Sequence, residues 1–131
     1  MKDESIHVLC VDDEVHVLSI VSDVLRDAGC EVRTAVDGAH ALQLIATTER
    51  KFDVMIVDVR MPNLDGWRFV VTARGAGYRG KVVVFSGYLD DEERQRFRQL
   101  NIDAVVEKPP KSGELVRVVK EVTRSAAVTA S

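Results

Sequence analysis

Five residues stand at the ends of apolar runs and carry groups able to do chemistry. Asp12 and Asp13 follow "IHVLCV" (6–11), and Asp58 closes "FDVMIVD" (52–58). Ser86 closes "KVVVFS" (81–86), and Lys108 follows "DAVVE" (103–107) with Pro109 and Pro110 directly after it. Singly, each has an ordinary use: Asp12 or Asp13 as a helix cap, Asp58 in a turn, Ser86 as a loop hydroxyl, Lys108 in solvent. Together they are three carboxylates, a hydroxyl and an ammonium. Like charges about 4 Å apart repel by about 4 kcal/mol at an effective dielectric near 20, so such a cluster requires a cation. All-oxygen donors with room for water suit Mg²⁺. A phosphate held by metal, lysine and hydroxyl is a phosphoryl-transfer site, and a carboxylate can be its nucleophile. Asp58, ending the run between the other two continuous apolar runs, is the candidate.

This chemistry requires the run ends to meet, and the patterning supplies the elements. Strand-like runs at 6–11, 31–35, 52–58, 81–86 and 103–107 alternate with helical patterns. The first helix, in "DEVHVLSIVSDVLRDAG", places Val17, Val21, Val24 and Ala28 at helical spacing, with Gly29 as its stop. "DGAHALQLIATTER" points Leu42 and Ile45 inward, and "LDGWRFVVTARG" ends at glycines 75 and 77. The helix at 90–100 is very polar, with Phe97 and Leu100 its large apolar residues and Asp90–Arg94 and Glu92–Arg96 as helix-spaced pairs. The last, 112–124, lines up Leu115, Val119 and Val122. Strand–helix alternation with short connections predicts an α/β fold with a parallel sheet. The first, third and fourth runs are continuously apolar, as strands covered on both faces must be. The second and fifth are shorter or more polar, as edges. Right-handed crossovers then give the doubly wound order 2-1-3-4-5, the flavodoxin-like (βα)5 arrangement, whose ligands bind beyond the carboxyl ends of the strands. There the five residues converge, and the second strand contributes only Thr34.

Bulk properties agree. A chain of 131 residues, 46% hydrophobic, suits one domain, expected over 1–124, with 125–131 a C-terminal tail or linker stub. A net charge of −3 argues against direct nucleic-acid binding. No run of about 18 apolar residues predicts a membrane span, and "MKDESIHVLC" has no signal-peptide apolar region, so a cytoplasmic location is expected. Cys10 and Cys30 read as buried reduced thiols. His7, His16 and His40 are too scattered for a metal site.

At this level of detail the chain resembles the receiver domains of response regulators, over about residues 5–124. "VDDE" (11–14) resembles the family's acidic pair. "VDVRMPNLDGW" (57–67) resembles its phosphoacceptor segment, with Asp58, Met61-Pro62 and Gly66 in place. Ser86 after "VVVF" resembles the switch hydroxyl, and "EKPP" the lysine–proline end of the fifth strand. The resemblance implies that Asp58 accepts a phosphoryl group from a phosphohistidine on a sensor histidine kinase or phosphotransfer protein. It implies Mg²⁺ held directly by Asp13 and Asp58, through water by Asp12, and by the backbone carbonyl of Arg60. Ser86 would donate to the phosphoryl group, Lys108 would pair with its charge, and the Lys108–Pro109 peptide would be cis. The implied partner or dimer surface, for an output domain, effector or second copy, is the face of 90–124. Two departures bear on switching. Val105 stands where an aromatic ring is frequent, and Pro110 where an aromatic or aliphatic residue is. Arg60 and Tyr88 lie two residues past Asp58 and Ser86, where side chains shield or admit attacking water.

Three rivals fit less well. A haloacid-dehalogenase-type phosphatase wants Asp-x-Asp at its nucleophile, and neither "DVR" nor "DD" supplies it. A flavodoxin-like binder would need a Ser/Thr-rich phosphate loop where the acidic "DDE" stands. A receiver relic that binds partners without phosphorylation would not need all five site residues.

Overall fold

The structure is a computed structural model that describes residues 5–60 and 65–130, with side chains to 124. Its elements run β1 His7–Val11, α1 Val15–Asp27, β2 Glu31–Ala35, α2 Gly38–Thr47, β3 Val54–Val57, α3 Gly66–Gly75, β4 Lys81–Ser86, α4 Asp91–Gln99, β5 Ala104–Glu107 and α5 Glu114–Ala130. All strand pairs are parallel and the order is β2-β1-β3-β4-β5, as the sequence predicts. Each element matches a predicted segment within a few residues, except that α5 runs on to Ala130, past the predicted end at Arg124. No helix among the described residues is long and apolar enough to cross a membrane.

Side chains alternate across the central strands, and both sets are apolar. Val8, Cys10, Ile56, Val83 and Phe85 pack with Leu18, Val21 and Leu25 of α1 and Leu115 and Val119 of α5. Leu9, Val11, Met55 and Val57 face the other way, onto Ala41 and Leu44 of α2 and Phe69 and Val70 of α3. Two-sided burial explains the continuous apolar runs of β1, β3 and β4. Cys10 and Cys30 are buried free thiols, and burial first of all pushes the Cys10 thiol up to about 12.

Two helical faces differ from the sequence reading. In α1 the buried line is Leu18, Val21, Ser22 and Leu25, while Val24 is exposed and Ala28 half-buried. The chain carries two adjacent apolar stripes there, and the sheet takes the one with leucines. Val17, Ile20 and Val24 instead border an open groove with Pro109 and Pro110. In α2, Ala41 and Leu44 are buried while Leu42 and Ile45 are half-buried.

α4 is the least anchored helix, with Phe97 its only buried residue. It is well capped: Asp90 accepts from the Glu93 amide and Glu93 from the Asp90 amide, a complete capping box. This role takes Asp90 away from the predicted pair with Arg94, which instead bonds Glu107 and the Leu89 carbonyl. The Glu92–Arg96 pair forms at 4.0 Å. Phe97 packs with Val59, Val84 and Leu89, and half-buried Val105 lies against this cluster.

The segment after Asp58 is pinned by a close approach. Gly66, the first residue of α3, donates its amide to the Val59 carbonyl at 3.0 Å. A Cβ at Gly66 would stand 2.4 Å from Val59 Cα and 2.9 Å from its Cγ1. The backbone of α3 must therefore shift to admit any side chain. Overpacking of this kind costs about 1–3 kcal/mol. Gly66→Ala is expected to lower the urea midpoint accordingly with an unchanged denaturant slope; wild-type stability would show that the contact is not tight.

Candidate functional site

The carboxyl ends of β1, β3, β4 and β5 bring four predicted residues together. Asp12 extends β1, donating its amide to the Ala35 carbonyl at 3.1 Å, and Asp58 extends β3, donating to the Val11 carbonyl at 2.9 Å. Asp12, Asp58 and Ser86 are only 3%, 5% and 1% exposed. Lys108 follows β5, its amide bonded to the Ser86 carbonyl at 2.7 Å and its peptide to Pro109 cis. From there its ammonium reaches back across the sheet. It donates to Asp12 Oδ2 at 2.8 Å and Asp58 Oδ2 at 3.3 Å, and lies 5.3 Å from the Phe85 ring centroid.

The remaining carboxylate oxygens are also held. Asp58 Oδ1 accepts from the Arg60 amide at 3.0 Å and from Ser86 Oγ at 3.3 Å. Asp12 Oδ1 accepts from the Glu14 amide at 2.9 Å, so Asp12 does not cap α1, whose first turn has no side-chain cap. Burial lifts the Asp12 carboxyl above its usual range, and the neighbouring Asp58 charge adds to this against the pull of Lys108 and the Glu14 amide. For Lys108 burial works against the charge, but the Asp12 hydrogen bond and the two carboxylate charges outweigh it and raise its pKa.

One acidic residue is gathered that the sequence did not single out. Carboxylate oxygens of Asp12, Glu14 and Asp58 lie within 4.8 Å of one another, and the group has the composition of a cation site. Asp13, expected as a direct ligand, is exposed and outside that group. Glu14 stands in "VDDE", and its position next to the pair was the available signal. Met61 and Pro62 lie outside the described residues. A hollow of about 700 Å³ lies away from these residues, and one of about 660 Å³ adjoins them through Lys108 and Phe85 without including the carboxylates.

The Arg60 side chain, expected from sequence to flank Asp58 and govern the access of water, is engaged with Tyr88 and Glu93 instead. Its Nη2 donates to the Tyr88 carbonyl at 2.9 Å and to Glu93 Oε1 at 3.1 Å. It thereby joins the end of β3 to the start of α4.

Known proteins share both sequence and fold. The response regulator receiver domain matches residues 8–120. The transcriptional regulatory protein PrrA of Mycobacterium tuberculosis is 37% identical over 124 residues, 95% of this chain and 52% of PrrA. The sensor histidine kinase RcsC of Escherichia coli strain K12 is 31% identical over 102 residues, 78% of this chain and 10% of RcsC. The chain thus spans about half the length of one relative and a tenth of the other. Among solved structures, the chemotaxis protein CheY4 of Vibrio cholerae superposes with a TM-score of 0.83 at 31% identity, over 90% of this chain and 98% of that one. On sequence, strand order and fold alike, the chain belongs to the response regulator receiver domains of two-component signalling.

Proposed function

We propose that the chain is a phosphoacceptor switch that takes a phosphoryl group from a phosphohistidine onto Asp58. The observation that carries this reading is the Lys108 ammonium lodged between buried Asp12 and Asp58, with Ser86 on the same Asp58 carboxylate. An Asp58 oxygen attacks phosphorus, the P–N bond to the partner's imidazole breaks, and its electron pair stays on that ring. Lys108 lies where it can follow the charge from carboxylate to phosphoryl oxygens. Ser86, already a donor here, can turn its hydroxyl to the new group. The residues proposed to hold Mg²⁺ are Asp12, Asp13, Asp58 and the Arg60 carbonyl, and the grouping of Asp12, Glu14 and Asp58 adds Glu14 to them. When bound, Mg²⁺ would neutralise charge on the transferred group.

The donor is proposed to be a sensor histidine kinase or histidine phosphotransfer protein. The signal is proposed to leave through α4, β5 and α5 to an output domain, effector or second copy, in the cytoplasm. The receiver unit is proposed to span 1–124. Val105 is β-branched and stiff at χ1, so repositioning of α4 rather than a swinging ring carries the change.

Incubation with acetyl phosphate and Mg²⁺, followed by intact mass, is expected to add one alkali-labile phosphoryl group to wild type. Asp58→Asn or excess chelator should abolish the label. Wild-type labelling of the variant would remove Asp58 from its role. Asp12 supplies a second expectation. Its pKa is raised in the fold, so ionised Asp12 costs stability at neutral pH, and the cost fades as pH falls through the raised value. Asp12→Asn should therefore raise the thermal midpoint in chelator at pH 7. The gain should shrink toward acid pH, and also with Mg²⁺, which stabilises wild type by mass action. A lower midpoint for the variant at pH 7 would contradict the charge-crowding account.

A further inference from the structure

The contacts of the Arg60 guanidinium have no part in the phosphoacceptor chemistry as proposed, yet the residue itself stands beside it. The amide of Arg60 holds Asp58 Oδ1, and its guanidinium holds Tyr88 and Glu93. Glu93 Oε1 accepts at once from Arg60 and, at 3.2 Å, from the Asp90 amide that it caps. One carboxylate thus closes the first turn of α4 and ties that turn to the residue two past Asp58. The tie falls on the helix that buries only Phe97. The start of α4 is otherwise held by buried Leu89 just before it and by Arg94 to Glu107 and the Leu89 carbonyl, and weakly held elements are the ones that move.

We propose that Arg60 is a latch: in the unmodified protein its guanidinium holds Tyr88 and Glu93, and a phosphoryl group on Asp58 draws it off and frees the start of α4. The inference rests on the phosphoacceptor reading and deepens it. The competition favours the new group. A phosphoryl group carries about −1.5 to −2 charge and three strong acceptor oxygens, against the single charge of Glu93, and arginine binds phosphate through paired donors. Arg60 is 59% exposed and Glu93 25%, so the existing pair is partly solvated and readily exchanged. Release leaves the capping box intact, because the Asp90 and Glu93 bonds do not involve Arg60. The helix is therefore freed to shift as a unit and does not fray. Trp67, the single tryptophan, reports on this shift. Its ring lies 4.9 Å from that of Phe97 and 4.7 Å below the Arg96 guanidinium, both on α4.

Amide hydrogen exchange and Trp67 emission test the latch on wild type, Glu93→Gln and Arg60→Gln, each with and without beryllofluoride plus Mg²⁺. Glutamine keeps the capping-box acceptor at position 93, and circular dichroism verifies that the variants fold. Without beryllofluoride, both variants should exchange about threefold faster than wild type over 87–100, the scale of an exposed ion pair. Arg60→Gln, which loses both contacts, should exchange at least as fast as Glu93→Gln. Beryllofluoride should bring wild type to the level of the variants and shift its Trp67 emission toward theirs. The variants should respond little over 87–100, while 104–113 responds alike in all three. Wild-type exchange in the unmodified variants overturns the latch, as does a full response of 87–100 in them. If beryllofluoride changes nothing in wild type, 104–113 included, the phosphoacceptor reading fails instead, and the latch is still judged from the unmodified proteins.

Discussion

The ammonium of Lys108 between two buried carboxylates is the constraint on which the rest of the site depends. Asp12 and Asp58 sit at the ends of neighbouring strands, on a sheet covered on both sides by helices, where two negative charges are poorly tolerated without a positive one. The lysine comes from the far edge strand and must cross the end of β4 to reach them. Its own amide is fixed to Ser86, so the three strand ends are registered to one another through a single residue. The parallel order is thereby tied to the chemistry, because it puts these particular ends side by side.

That arrangement also explains the uneven solidity of the domain. The halves of the core that involve α1, α2, α3 and α5 are each built on several buried side chains. The third cluster, beneath α4, is small and holds that helix by Phe97. Polar contacts secure the rest of α4, through the capping box, Arg94 with Glu107, and Arg60 with Glu93. Polar contacts at a surface can be traded for others without loss of the fold, which apolar burial cannot. A signalling module needs that property on one face only.

The sequence was most legible where a single periodicity decides the outcome. Continuous apolar runs marked β1, β3 and β4 as central, and strand order followed. The convergence of Asp12, Asp58, Ser86 and Lys108 followed from the order, since each closes or follows a strand. Periodicity failed where two stripes run side by side, as in α1, where Leu18 and Leu25 face the sheet and Val24 does not. Helical spacing fits either stripe, and only the shape of the sheet chooses between them. Rotamer-level facts were beyond reach for a different reason. Whether Asp13 or Glu14 turns toward Asp58, and that Arg60 turns toward Glu93, depends on side chains that meet across loops distant in sequence.

Cys10 lies in the middle of β1, flanked on either side by β2 and β3, with its thiol held neutral by burial. Thiol reagents need the thiolate and a path to it. Neither exists while β1 is in the sheet. Alkylation of Cys10 in native buffer would therefore time the opening of the central strands, not the breathing of the rim. Since Asp12 stands two residues further on, at the carboxyl end of β1, a bound cation would slow that clock from the rim, giving a chemical measure of how firmly the charged rim holds the apolar sheet together.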